Sequence, residues 1–165
     1  SRQDIPVASM CAIEYYEDSL LPLARLYNLE RELDQALQEK IWLKSGGFLI
    51  IQQTEAFVAI DVNTGKHSSK KDAEENYKQI NREAALEIAR QLRLRNLSGM
   101  ILVDFINMKN TNDQSELLQY MGSLVRSDPM QTVVVDVTAL GIMEITRKKS
   151  AKTLTEQLLQ LKKGE

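Results

Sequence analysis

Two rhythms of apolar positions alternate along this chain. The stretch Phe57-Val58-Ala59-Ile60-Asp61-Val62 is almost continuously apolar, the pattern of a strand covered on both faces, and only Asp61 interrupts it. Met100 to Ile106 repeats the pattern with an interruption at Asp104, and Thr132 to Val137 is a third such run. Between the first two, Tyr77, Ile80, Ala84, Ile88 and Leu92 recur at helical spacing. They predict a long helix that starts at Asp72 or at Asn81 and ends near Asn96. Leu117, Met121, Leu124 and Val125 predict another helix, from about Asn112 to Ser127, stopped before Asp128-Pro129 because proline disfavours the helical conformation in the residue preceding it. Leu140 to Thr146 fits strand or helix. A last amphipathic helix carries Leu154, Leu158 and Leu161, with Thr153 and Glu156 as a capping pair.

Upstream, Met10 to Tyr16 reads as strand, Asp18 to Pro22 as loop, and Leu29 to Gln38 as a helix with Asn28 at its N-cap. Lys40–Leu43 and Phe48–Gln52, joined through Ser45-Gly46-Gly47, predict a hairpin, and Gln53-Thr54-Glu55 a second tight connection. The interval from Asp61 to Asp104 holds loop, helix and strand and exceeds the roughly 30 residues that a βαβ unit takes. It predicts a crossover between parallel strands, and the next helix predicts a second crossover into Thr132–Val137. The fold class is α/β, a mixed sheet with βαβ crossovers.

Composition narrows the chemistry. The 165 residues are 43% hydrophobic and 27% charged, the balance of a globular chain with a real core. One Cys and one His allow neither an intrachain disulfide nor a structural zinc site, and the lone thiol suits a reducing compartment such as the cytoplasm. No apolar run reaches the roughly 20 residues of a membrane span, and no signal peptide opens the chain. A formal charge of -2 gives no bulk attraction to nucleic acid. The charge is uneven, however. Residues 1–40 carry eight acids against four bases, and residues 147–165 carry six bases against two acids. These ends are either solvated surfaces or, at the basic end, a means of holding a polyanion.

Asp61 and Asp104 each fall at the carboxyl end of a predicted parallel strand, the edge where sites form in open α/β sheets. On neighbouring strands the two carboxylates would repel, by about 4 kcal/mol at 4 Å and an effective dielectric near 20. A shared proton, a basic side chain or a divalent cation must relieve that repulsion. Hard oxygen ligands with open positions favour Mg²⁺. Asn63 is placed to hold a carboxylate or a water. The plainer reading is that each Asp caps a strand end. Asp136 ends the third run and reads as a solvated strand-end acid or a further ligand.

Several motifs in order then resemble the catalytic core of the ribonuclease E/G family. They are Trp42 to Gly47, Thr54 to Ala56, Ala59 to Gly65, Glu83 to Ala85, Glu87 to Arg95, Val103 to Ile106, and Leu140-Gly141 with Glu144, Thr146 and Arg147. The resemblance is dense from about Lys40 to Lys149 and weaker back to Ile13. It implies a remnant of an RNase H-like subdomain over 1–39, a DNase I-like catalytic subdomain over 40–150, and a C-terminal amphipathic helix over 151–165. It further implies a Mg²⁺-dependent endoribonuclease (Mn²⁺ as the alternative ion) acting on single-stranded RNA in the cytoplasm. Asp61 and Asp104 match the family's metal-binding aspartates, and Asn63 matches the asparagine that supports the first. The family's S1 and 5′-sensing domains and its CPxC zinc-link motif are missing from the sequence, which reads as an excised or shortened core. Asn107 stands where many members have Asp.

Other candidates carry weaker signals. Arg90, Arg93 and Arg95 either meet RNA phosphates or complement the helix dipole. Lys66, Lys70 and Lys71 either guide a strand into the crevice or form a solvated loop, in which His67 is a surface residue. Arg147, Lys148 and Lys149 are expected to contact backbone phosphate. Cys11 and Trp42 read as packing residues, and the aromatic residues offer no evident base-stacking platform. Two rival readings are a fragment that binds RNA without cutting it and an assembly element. In the latter the Leu154, Leu158 and Leu161 stripe would pair with another protomer as a homo-oligomer, rather than close the chain's own core.

Overall fold

The computed structural model describes residues 14–65 and 73–161. It divides into two compact units, Ser1–Gln35 and Ala36–Glu165. The boundary falls a few residues before the expected 39/40 division, and the C-terminal helix belongs to the second unit.

In the first unit, Glu14 to Glu17 form no strand, and the rest of the strand expected over Met10–Tyr16 lies outside the described residues. Asp18 Oδ1 accepts from the Leu20 and Leu21 N–H groups and shapes the turn into a short helix, α1 (Leu23–Leu26), that the apolar pattern did not single out. Asn28 has φ 52°, in the left-handed region that asparagine tolerates. It therefore links α1 to α2 (Leu29–Leu37) by bending the chain.

The second unit is a six-stranded mixed sheet in the order β1-β2-β3-β4-β6-β5. The strands are β1 (Lys40–Trp42), β2 (Phe48–Gln53), β3 (Phe57–Asn63), β4 (Gly99–Asp104), β5 (Thr132–Val137) and β6 (Ile142–Arg147). Only β3 and β4 pair in parallel. They are joined by α3 (Ala73–Leu94), and α4 (Thr111–Val125) connects β4 to β5. The later start expected for α3, at Asn81, is excluded because Asn81 lies in mid-helix. Asn110 caps α4 by accepting from the Asn112 N–H. Thr153 and Glu156 form the expected capping pair of α5 (Leu154–Leu161), through Thr153 N–H to Glu156 Oε2 at 2.7 Å and Glu156 N–H to Thr153 Oγ1 at 3.3 Å.

The core lies between one sheet face and the two long helices. Leu49, Ile51, Val58, Ile60, Val62, Ile101, Val103, Met143 and Ile145 point inward at alternate positions and meet Ile80, Ala84, Ile88, Leu92, Leu117 and Met121. Two expectations change here. The β3 run is buried on one face only: Phe57 and Ala59, on the other, are half-buried and Asp61 is exposed. The second unit sets both long helices against the same sheet face, and apolar side chains on its other face, such as Phe57 and Ala59, are only half-buried. The third strand is also not a parallel neighbour of β4. The Thr138–Gly141 turn folds β6 back into that place, and β5 is left at the edge, antiparallel to β6. Gly141, at φ 86°, permits this turn. Of the ambiguous stretch Leu140–Thr146, Leu140 and Gly141 thus belong to the turn and Ile142 onward is strand.

Candidate metal centre

Parallel pairing of β3 with β4 runs from Phe57↔Met100 to Asp61↔Asp104. The two aspartates are direct register partners on adjacent strands, about 4.8 Å apart along the hydrogen-bonding direction. Alternation aims both at the open face, since Ile60, Val62 and Val103 are buried in the core. Asn63, two residues on and on the same face, donates its amide N–H to Asp61 Oδ2 at 2.8 Å. The three side chains that the sequence singled out are thus on one face at one edge of the sheet.

Local structure explains why the strands end there. Gly65 has φ 72°, and a Cβ on it would run into the Gly46 carbonyl. A Cβ on Gly47 would lie 2.8 Å from the Asn63 carbonyl and 2.9 Å from Ile80 Cγ2. The β1–β2 turn therefore packs against the exit of β3 only because these positions are glycine. Glu83 of α3 holds the same turn by accepting from the Ser45 N–H at 2.9 Å. On β4, strand was expected through Ile106 but stops at Asp104. Asn81, fully buried on α3, donates to the Ile106 carbonyl at 2.8 Å and accepts from the Ile106 N–H at 3.0 Å. Ile106 thereby finds its backbone partners on a helix instead of a strand. Asn81 is a positioning residue that periodicity could only show as an oddly polar member of an apolar stripe.

Beyond Asp104, a cleft of about 140 Å³ is lined by Asp104, Asn107, Gln114, Val137 and Leu140, among others. Asp136, on β5, is two strands from Asp104 and one side-chain row back, since Leu102 pairs with Glu144 and Glu144 with Asp136. That places its Cα about 12 Å away, beyond what two carboxylates on one ion span. Asp136 Oδ1 instead accepts from the Val137 N–H. Among the described residues no three His, Cys, Asp or Glu groups gather as a ligand cluster, and no basic side chain forms an ion pair with Asp61 or Asp104. Two adjacent, exposed carboxylates with no ion-pair partner among the described residues fit a hard divalent cation that retains waters.

The cationic candidates separate from this site. Arg147 ends β6 opposite Gly99, at the far end of β4 from Asp104. Five residue steps put it about 17 Å along the sheet from the carboxylate row. Arg93 and Arg95 close α3 at that same far end. Arg95 is buried, donating to Gln91 Oε1 at 2.7 Å and to the Gln38 carbonyl at 2.6 Å. Burial lowers its pKa from the ordinary arginine value, with the Glu87 charge opposing. Arg147 is buried too. It grips Asp128 through Nε at 2.7 Å and Nη2 at 3.2 Å, and also Asn96 Oδ1 and the Leu97 carbonyl. The expected phosphate roles of Arg95 and Arg147 are therefore corrected: both guanidinium groups are internal braces. Burial alone would push the Asp128 carboxyl up. The Arg147 fork, the Met130 N–H and the Thr132 hydroxyl outweigh it and hold that carboxyl below its ordinary value. Arg90 pairs with Glu87 at 2.9 Å. Arg93, Lys148 and Lys149 are exposed. Lys66, His67, Lys70 and Lys71, like Cys11, lie outside the described residues. Trp42 is not a packing residue, because its side chain is 64% exposed on the open face.

A sequence profile of the Ribonuclease E/G family matches residues 3–150. The chain is similar to Ribonuclease G of Escherichia coli (strain K12), 40% identical over 137 residues that make up 83% of this chain and 28% of that protein. It is similar to Ribonuclease E of Nostoc sp., 38% identical over 144 residues, 87% of this chain and 21% of that protein. Ribonuclease G of Haemophilus influenzae is 40% identical over 137 residues, again 83% of this chain and 28% of its own. The chain thus spans between a fifth and a third of the length of these curated relatives.

Proposed function

Because the chain belongs to the ribonuclease E/G family, we propose that it carries the metal centre of an endoribonuclease that hydrolyses phosphodiester bonds in single-stranded RNA, in the cytoplasm. The observation that carries this reading is the register pairing of Asp61 with Asp104 on an open sheet face. The relatives named Ribonuclease G and Ribonuclease E support the substrate class.

Asp61 and Asp104 would hold Mg²⁺, or Mn²⁺ in its place, as two hard oxygen ligands. When bound, the cation would polarise the scissile phosphate and acidify a water for in-line attack, leaving a 5′-phosphate and a 3′-hydroxyl. The protein's own part is geometric. Asn63 donates to Asp61 Oδ2 and would hold that carboxylate in place for the ion. Asn81 fixes the chain just beyond Asp104. Both carboxylates are exposed on this face, where a polymer can reach them.

The test is incubation of a labelled single-stranded RNA with the chain and Mg²⁺. Cleavage abolished by chelation and by Asp61→Asn is the expected result. Cleavage that persists in Asp61→Asn rejects this site.

A further inference from the structure

We propose that Trp42, backed by Phe48 and Lys40, is a stacking platform for an unpaired nucleobase of the RNA strand whose phosphate reaches Asp61 and Asp104; this rests on the function proposed above. Trp42 is the chain's single tryptophan, and its 64% exposure is a costly placement for the largest apolar side chain unless something covers it. Register puts it on the same face and at the same edge as the carboxylates. Trp42 pairs with Phe48 and Phe48 with Asn63, while Lys40 pairs with Ile50 and Ile50 with Asp61. Two strand spacings and one row of side chains separate the indole from Asp61, about 12 Å between Cα atoms.

The surroundings select the occupant. Trp42 and Phe48 rings stand edge to face at 5.3 Å, which braces the indole in one orientation. Lys40 Nζ lies 4.1 Å from the Trp42 ring centre and 3.8 Å from that of Phe48. A protein cover for an apolar strip would bury that ammonium and the nearby carboxylates at a cost. A nucleotide suits all three features: its base stacks on the indole, its phosphate meets Lys40, and the strand continues toward the acidic pair. The β1–β2 turn that carries the platform is itself held to α3 through Ser45 and Glu83, so platform and metal centre share one rigid frame.

Having a single tryptophan makes the test direct. The full chain, kept in EDTA so that nothing is cut, is titrated with single-stranded oligoadenylate while tryptophan emission is followed. Stacking predicts saturable quenching by oligoadenylate and none by inorganic polyphosphate. Trp42→Ala should weaken binding about tenfold, as loss of one base–aromatic stack does, and Trp42→Phe should restore most of it. Asp61→Asn should still be quenched, which separates the platform from the cleavage reaction. RNA cleavage in Mg²⁺ without any quenching, and with KM unchanged in Trp42→Ala, overturns the platform while the nuclease reading stands. Quenching without cleavage overturns the nuclease reading alone. Emission already blue-shifted and shielded from acrylamide in the free protein would show that protein covers the indole, and would also overturn the proposal.

Discussion

Asn81 and Ile106 are joined by two hydrogen bonds, the amide donating to the carbonyl at 2.8 Å and accepting from the N–H at 3.0 Å. A side chain on α3 thereby completes the backbone pairing of the residue two beyond Asp104, and the end of β4 is set by a helix rather than by a neighbouring strand. The position of one carboxylate accordingly depends on a residue that need not touch any ligand.

Replacing Asn81 with Leu keeps the bulk and orphans both Ile106 backbone groups. We expect a loss of about 1–3 kcal/mol of stability in urea unfolding. Faster hydrogen exchange at the Ile106 amide and weaker Mg²⁺ binding should accompany it. Asn81→Asp, which would bury a carboxylate against the Ile106 carbonyl, should cost at least as much as Asn81→Leu.

The proposed metal centre can be tested without an activity assay. A cation that binds only the folded chain stabilises it by RT ln(1 + [L]/Kd), about 2.7 kcal/mol at a hundredfold excess over Kd. Mg²⁺ should therefore raise the Tm of the parent chain and leave Asp61→Asn and Asp104→Asn nearly unmoved. In metal-free buffer these two variants should match or slightly exceed the parent, because each relieves the repulsion between register partners. An equal Mg²⁺ shift in all three proteins contradicts the centre.

Arg147 and Asp128 form a buried pair, with side chains 3% and 2% exposed. Arg147→Met leaves an uncompensated carboxylate inside and should cost about 3–5 kcal/mol in denaturant unfolding. The double variant Arg147→Met with Asp128→Leu should recover part of that loss. If Arg147 is a brace, the salt dependence of RNA binding by the folded Arg147→Met protein should match the parent's. A slope reduced by about 0.7, the share of one phosphate contact on a single strand, would restore the phosphate role.

The same pair sets an acid limit. The Asp128 carboxyl is depressed in the folded protein, so unfolded chains bind its proton first as pH falls. Its stabilising contribution is complete above the ordinary value of 3.8 and fades as pH drops through the lower, folded value. Urea midpoints measured from pH 6 downward should fall over this range, and the Asp128 part of the fall should vanish in Asp128→Asn.

Much of this was legible along the chain. The apolar runs and the helical spacing of Ile80, Ala84, Ile88 and Leu92 marked β3, β4 and α3 because burying one face demands a period. Asp61 and Asp104 stood out because a charge interrupting such a run needs a reason. Residues whose meaning lies in a distant partner were less readable. Charge alone suggests a phosphate ligand at Arg147 and either that or a helix-dipole partner at Arg95, since a sequence does not display the Asp128 carboxylate or the Gln38 carbonyl that takes each one up. Trp42 looked like core, since hydrophobicity does not say which face of an edge strand is covered.

The order of residues by itself determined which segments could be strand or helix, where the glycines let the chain turn, and that two acids would end two buried runs. That follows from local sterics and from the periodicity that burial imposes. Only the tertiary structure decided that β3 and β4 align Asp61 with Asp104, that β6 displaces β5 from the place beside β4, and that both long helices share one face. Those outcomes depend on pairing and packing between residues far apart in the chain, where many arrangements satisfy the same local pattern and only the folded whole selects one.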